Sequence, residues 1–224
     1  MTAYLKACLQ FVATSAFLFL SLIEAGAQSA RPTGMTDEEL FGSVIRQSKW
    51  ETFPIPVCWE NSTPADASYR AVTRRAVEET WERYSRVRFT GWAACNDNSP
   101  GIRIRIADEG PHVKALGKYL DRRPQGMVLN FTFANWSQSC QQTREFCVYA
   151  VAAHEFGHAL GFAHEQNRAD APPQCRQDSQ GTTGDYNVTR YDPVSIMNYC
   201  NPQWNGDGKL SVLDIEAVQK FYAN

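Results

Sequence analysis

The stretch His154-Glu155-Phe156-Gly157-His158-Ala159-Leu160-Gly161-Phe162-Ala163-His164-Glu165 constrains this chain more than any other. Residues four apart lie on one face of a helix, so His154 and His158 can present two imidazole nitrogens to a single metal ion. Glu155 sits one step round that helix, placed to reach a water on the metal rather than the metal itself. Gly161 follows the second histidine by three residues. Glycine takes positive φ without steric cost, so this position can end the helix and turn the chain. The turn would bring His164 back as a third ligand. Three protein ligands leave one position open for water, which is the pattern of a catalytic zinc and not of a structural one.

A bare His-Glu-x-x-His also occurs in helices that bind nothing. Here Gly161, His164, Glu165, Arg168 and Asp170 extend it to His-Glu-x-x-His-x-x-Gly-Phe-x-His-Glu-x-x-Arg-x-Asp, which is much harder to meet by accident. A second, independent segment is Ser195-Ile196-Met197-Asn198-Tyr199. Together the two resemble the astacin family of metzincin metalloproteases, the second being similar to the methionine turn beneath the zinc. The resemblance implies that Met197 forms a hydrophobic floor under the three histidines. It implies that Tyr199 is a switchable ligand, on the metal at rest and swung toward the oxyanion during reaction. It also implies that Glu165 holds the amino terminus of the mature chain. The resemblance covers residues 153–170 and 191–199. Asn198 departs from the histidine usual at that position, and the cysteines do not obviously match the family's.

The formal net charge of −2 gives no electrostatic case for a nucleic acid or an anionic membrane as partner. With 224 residues, of which 43% are hydrophobic, the chain can bury one good core. Its first residues read as a leader: Lys6, an apolar run over residues 7–23, then Ala25-Gly26-Ala27, the small-x-small pattern of a signal-peptidase site. Residues 1–27 are thus expected to be a signal peptide cleaved after Ala27, with an uncleaved anchor as the rival reading. Residues 28–48 are expected to be a short propeptide or amino-terminal arm, and residues 49–224 the catalytic domain. Leader removal discards Cys8 and leaves Cys58, Cys95, Cys140, Cys147, Cys175 and Cys200, an even set that argues for disulfides in an exported chain. Zinc ligation is the rival for these cysteines, but their wide spacing holds no Cys-x-x-Cys pair. Of the fifteen possible pairings we expect Cys58–Cys95, Cys140–Cys147 and Cys175–Cys200. The first pair flanks the first helix, the second staples the entry to the catalytic helix, and the third brackets the long loop and the methionine turn.

Strands are expected over residues 53–59, 87–92, 102–106 and 127–133, the third from the alternation of Ile102, Ile104 and Ile106 with Arg103 and Arg105. The two arginines read as the solvated face of that strand. Helices are expected over residues 66–84, from about 144 to 160, and from Ser211 to about 222, where Ser211 and Asp214 form a capping pair. Residues 169–192 read as a long polar loop. This order gives an α/β (α+β) class, a mixed twisted sheet with two long helices and a C-terminal helix, in agreement with the metzincin-like zincin fold that the resemblance implies. In that fold an edge strand lies above the zinc cleft, and residues 112–120 are placed there. Asn205-Gly206-Asp207-Gly208 has part of a calcium-loop pattern, but reads as a plain turn. His112, the one histidine outside the zinc motif, reads as a surface or cleft residue.

The expected function is therefore that of a secreted zinc endopeptidase with one catalytic Zn²⁺. His154, His158 and His164 are its ligands, Glu155 its general base and Tyr199 its oxyanion partner, and residues 200–208 shape the pocket beside the scissile bond. Its partners would be protein or peptide substrates, with no nucleic acid and no stable membrane association after leader cleavage, and it would work as a monomer. Two other classes stay open on sequence alone: a non-catalytic secreted zinc-binding module, and a zinc hydrolase of non-peptide esters or amides.

Overall fold

Eleven α-helices and β-strands frame the chain in a computed structural model that describes residues 43–177 and 179–223. The expected leader, and the arm up to residue 42, lie outside the described residues. In chain order the elements are β1 (Ile55–Trp59), α1 (Ala67–Glu79), α2 (Trp81–Tyr84), β2 (Phe89–Ala94), β3 (Ile102–Ile106), β4 (His112–Val113) and β5 (Met127–Leu129). Then follow α3 (Gln138–Gln142), α4 (Arg144–Ala159), α5 (Pro173–Arg176) and α6 (Val212–Phe221).

The strands form one sheet in the order β2-β1-β3-β5-β4. All pairings are parallel except that of β4, which runs antiparallel to β5 at the edge, with His112 opposite Val128 and Val113 opposite Met127. Parallel strands need crossovers, and α1 supplies the one between β1 and β2. The edge strand falls inside the segment expected to hold it. Alternation along β3 buries Ile102 and Ile104 completely. Its polar face differs from the expectation of a solvated one. Arg103 Nε donates to Glu60 Oε1 at 2.8 Å, and both side chains are mostly covered. A side chain on the outer face of a central strand can be shielded by the loops at the strand ends, and Asn96 and Asp97 cover this one by accepting from Arg103 Nη1.

The first long helix is broken where a single helix over residues 66–84 was expected. Thr80 leaves helical geometry (φ −110°, ψ −93°), and its hydroxyl donates back to the Ala76 carbonyl, a local bond that competes with the helical ladder. The break rotates Trp81 inward, where it is fully buried and donates from Nε1 to the Ala153 carbonyl of α4 at 2.7 Å. α1 packs along α4, and α4 lies over the sheet, with Phe156 edge-on to Phe89 of β2.

Residues 43–48, expected in the arm, are part of the packed body. Val44 is fully buried and bridges to Phe162 and Tyr186. Two further hydrogen bonds clamp the end of α4: Trp50 Nε1 donates to the Ala159 carbonyl at 2.8 Å, and Tyr222 Oη to the Leu160 carbonyl at 2.8 Å. Three disulfides join Cys58 to Cys95, Cys140 to Cys147 and Cys175 to Cys200, as expected. The short α3, which the sequence reading missed, is capped by Ser137 and carries Cys140 against the start of α4.

Candidate metal centre and active-site cleft

α4 is apolar nearly all round its second half, because Val151, Ala152, Ala153, Phe156 and Ala159 are all buried. That burial brings His154 and His158 into the interior on one face. The helix ends in a Schellman turn: Phe162 N donates to the Gly157 carbonyl at 3.1 Å, and Gly161 N to the His158 carbonyl at 2.9 Å. Gly161 has φ +96°, and a Cβ there would stand 2.5 Å from Ser48 Oγ, so the turn requires glycine twice over. The chain reverses, and His164 meets the other two histidines.

His158 Nε2 and His164 Nε2 lie 3.1 Å apart, and His154 Nε2 lies 3.3 Å from His164 Nε2. Every Nδ1 is committed elsewhere. His154 donates to the Ile196 carbonyl at 2.7 Å, His158 to the Phe162 carbonyl at 2.7 Å and His164 to the Gln180 carbonyl at 2.9 Å. Each ring thus carries its proton on Nδ1, and three Nε2 lone pairs converge on one point. Such an arrangement is repulsive by itself and fits a cation bound by three imidazoles, whose outer nitrogens are oriented by backbone carbonyls. Burial pushes all three rings toward the neutral, metal-binding form, His154 down to about 3.

Glu155 is buried, and its Oε2 has no hydrogen-bond partner within the protein. Burial alone pushes its carboxyl up to about 8. A divalent cation held by the neighbouring histidines would oppose that shift and favour the carboxylate. An unspent buried oxygen beside three converging nitrogens fits a zinc centre with a water between metal and acid.

Met197 and Tyr199 arrive on a tight, irregular segment. Buried Asp214, at the start of α6, accepts from Ser195 Oγ at 2.6 Å and from Ile196 N at 2.9 Å. The carbonyl of the same Ile196 holds His154, so the cap of α6 is tied to a histidine of the centre through one residue. Asp214 also accepts from Ser211 N, completing the expected capping box. This role excludes the calcium-loop reading, in which Asp214 would be a ligand. Asp192 binds the Ser211 hydroxyl as well. Burial raises the Asp214 carboxyl to about 6 despite these donors.

Tyr199 stands over the histidines. Its ring centroid is 4.4 Å from that of His164 and 5.5 Å from that of His154. Burial first, then the charge of Glu155, pushes its phenol up to about 12. Glu165 lies behind the centre and accepts from Asp192 N at 2.8 Å, with Arg168 Nε 3.4 Å away. Arg168 is completely buried and grips Asp170 with two hydrogen bonds of 2.8 and 2.7 Å. His112, on β4, is exposed and lines the cleft without joining the three histidines.

Sequence reasoning missed Gly157. A Cβ there would stand 2.4 Å from Met197 Sδ and 2.8 Å from Trp81, so this glycine lets the methionine sulfur press against the helix. The available signal was a glycine inside a strongly apolar helix, where it costs about 1 kcal/mol relative to alanine and needs a packing reason.

Residues 43–174 match the family model for the astacin peptidases. Among relatives, interstitial collagenase of Bos taurus is 25% identical over 198 residues, covering 84% of this chain and 36% of its own. Zinc metalloproteinase nas-13 of Caenorhabditis elegans is 24% identical over 207 residues, covering 80% of this chain and 40% of its own. The chain therefore spans well under half the length of these relatives. The solved structure of myroilysin superposes with a TM-score of 0.61 at 20% identity, covering 82% of this chain and 99% of that one, and so shares the fold. The family-model match spans more than half of the chain and contains all three clustered histidines, so the chain belongs to the astacin peptidase family.

Proposed function

We propose that this protein is a secreted zinc endopeptidase, with His154, His158 and His164 as the zinc ligands, Glu155 as general base and Tyr199 as oxyanion donor. The convergence of three Nε2 atoms beside the unpartnered Glu155 Oε2 carries the reading. Zinc bound there supplies a Lewis acid that lowers the pKa of a water to ~7 and polarises the scissile carbonyl. Glu155 takes the attacking water's proton and delivers it to the leaving amine. Tyr199 has its ring over His154 and His164, so its phenol O–H is placed to donate a hydrogen bond to the developing oxyanion. The exposed rim of β4 offers an extended peptide an antiparallel strand to pair with, and this favours a peptide over an ester substrate. Three disulfides suit an oxidising compartment, which supports secretion. No helix among the described residues is long and apolar enough to cross a membrane.

The test is metal dependence of peptide-bond cleavage. Purified protein should hold about one zinc per chain by the three-ligand argument. It should cleave unfolded protein substrates, lose that activity to phenanthroline and regain it with added zinc. Full activity of a verified metal-free preparation would overturn the mechanism. Ester hydrolysis without peptide cleavage would move the chain to another class of hydrolase.

A further inference from the structure

A cavity of about 500 Å³ opens beside His154, Glu155 and Tyr199, and its walls have a consistent chemistry. Trp136 and Trp204 line it, with Val151 and Pro202. Glu155 is the one charged side chain among the described residues lining it. The amides of Asn198 and Asn201 also face it, but both are spent. Asn198 donates to Tyr191 Oη and the Asp192 carbonyl and accepts from Cys200 N. Asn201 donates to the carbonyls of Val194 and Ser195 and accepts from Gln203 N. Gln180 and Asn205 line it as well, so an incoming group meets two indole faces set among amide groups, with no cationic side chain in the wall.

Both tryptophans are braced. Trp136 rests on Phe133 at a ring distance of 5.9 Å and against Gly110, where a Cβ would stand 3.3 Å from Nε1. Trp204 lies 6.2 Å from Phe146. The turn that follows Trp204 places Asn205, Gly206 and Asp207 in the left-handed region, with φ of 46°, 57° and 52°. Consecutive residues there are strained, and such strain collects where a segment is held for a purpose. Yet Trp136 is 42% exposed and Trp204 41%, so each presents a broad apolar face to solvent at the mouth of the cleft.

We propose that this cavity selects a bulky uncharged side chain, aromatic or branched aliphatic, next to the scissile bond, with Trp136 and Trp204 as its selecting walls. The proposal rests on the peptidase reading above. An apolar side chain entering the cavity covers both rings, and discrimination against alanine on the order of 10- to 100-fold is what such pockets deliver. An acidic side chain would find no cationic side chain in the wall and would stand beside the carboxylate of Glu155, and a basic one would meet only the carboxylate that the chemistry needs.

Two measurements on the zinc-loaded full chain separate the proposal from the reading beneath it. The first needs no turnover: calorimetric titration with peptide hydroxamates whose adjacent side chain is benzyl, methyl or carboxymethyl. The hydroxamate occupies the metal in every case, so differences report the cavity alone. Benzyl should bind on the order of 10- to 100-fold tighter than methyl, and carboxymethyl no tighter than methyl. Trp204→Ala and Trp136→Ala should bring the benzyl-to-methyl ratio toward one, whereas Trp204→Phe should keep it. A carboxymethyl preference, or a ratio unchanged in both alanine variants, overturns the proposal. The second is a mass-spectrometric profile of bonds cut in an unfolded protein. Enrichment of Phe, Tyr, Leu or Ile at one flanking position supports the proposal. Enrichment of acidic or small residues at both flanking positions overturns it and leaves the peptidase reading standing. Benzyl discrimination without any peptide cleavage supports the cavity's selectivity and sinks the peptidase reading instead.

Discussion

The candidate site draws on two regions built on different principles. α4 supplies His154, Glu155 and His158 from regular helix, where the 3.6-residue repeat places the groups and the backbone satisfies its own hydrogen bonds. Residues 160–211 supply His164, Met197 and Tyr199 from a segment whose one α-helix among the described residues is the four-residue α5. That segment is held by a Schellman turn, the Cys175–Cys200 disulfide, and the buried groups Asp214, Glu165 and Arg168. The helix is precise because its geometry is generic. The irregular segment is precise because particular side chains hold particular backbone atoms, so it should be the easier half to disable without unfolding the molecule.

The largest expected effect lies on the helical half. Glu155→Gln keeps shape and burial but removes the group that accepts a proton. Turnover should fall on the order of 10²–10⁴-fold while zinc content stays near that of the parent. Near-parental kcat in a zinc-replete variant would show that the base lies elsewhere and that α4 contributes ligands alone.

Tyr199→Phe asks the same of the irregular half. The ring's stacking on His154 and its tilted contact with His164 survive, and only the hydroxyl goes. If that hydroxyl stabilises the oxyanion, kcat should drop by roughly 10–1000-fold with a smaller change in KM. Unchanged kinetics would make Tyr199 a packing residue and leave the chemistry to the helix.

Legibility in the sequence divides along the same line. His154, His158 and Glu155 could be placed from spacing alone, and Gly161 announced the turn that returns His164. The alternating isoleucines located β3, and the place of the cysteines beside the expected strands, the catalytic helix and the methionine turn led to the three pairings that the structure shows. The break at Thr80 was not legible, because its apolar stripe runs on through Trp81 and a hydroxyl-to-backbone bond decides the matter. Ser211 and Asp214 were legible as a helix cap. The hold of Asp214 on Ser195 and Ile196 was not, because contacts between residues some twenty positions apart leave no local period in the sequence. Val44 was hidden for a like reason: its partners Phe162 and Tyr186 lie more than a hundred residues away.

Removal of the Cys175–Cys200 bridge in a Cys175→Ser/Cys200→Ser double variant loosens the irregular half and keeps the Cys140–Cys147 bridge of α4. The two cysteines are 25 residues apart in sequence. In the chain-entropy model, closing such a loop contributes ~3 kcal/mol, less any strain. Because the loop contains Met197 and Tyr199, the double variant should lose activity at temperatures where circular dichroism still reports a folded domain. Activity and ellipticity lost together would mean that the two halves unfold as one unit.

The smallest expected effect, and the sharpest, comes from Gly157→Ala, at the point where the halves touch. Alanine favours a helix interior over glycine by about 1 kcal/mol, so α4 taken alone should gain stability. Its methyl, however, would stand 2.4 Å from Met197 Sδ and 2.8 Å from Trp81. Trp81 is fixed by its bond to Ala153 and by stacking on Phe162 at 5.4 Å, so the methionine is the partner that must retreat. Overpacking of this kind costs typically 1–3 kcal/mol, which leaves a net destabilisation of about 1 kcal/mol. The Met197 carbonyl accepts from Glu165 N, and Tyr199 lies two residues on, so a displaced methionine should carry the tyrosine with it. The variant should therefore lose several-fold in kcat, whereas its Tm should fall by only a few degrees, as about 1 kcal/mol implies for a domain of this size. A higher Tm with undiminished kcat would show that Met197 yields freely, and that the irregular half keeps Tyr199 in place without leaning on the helix.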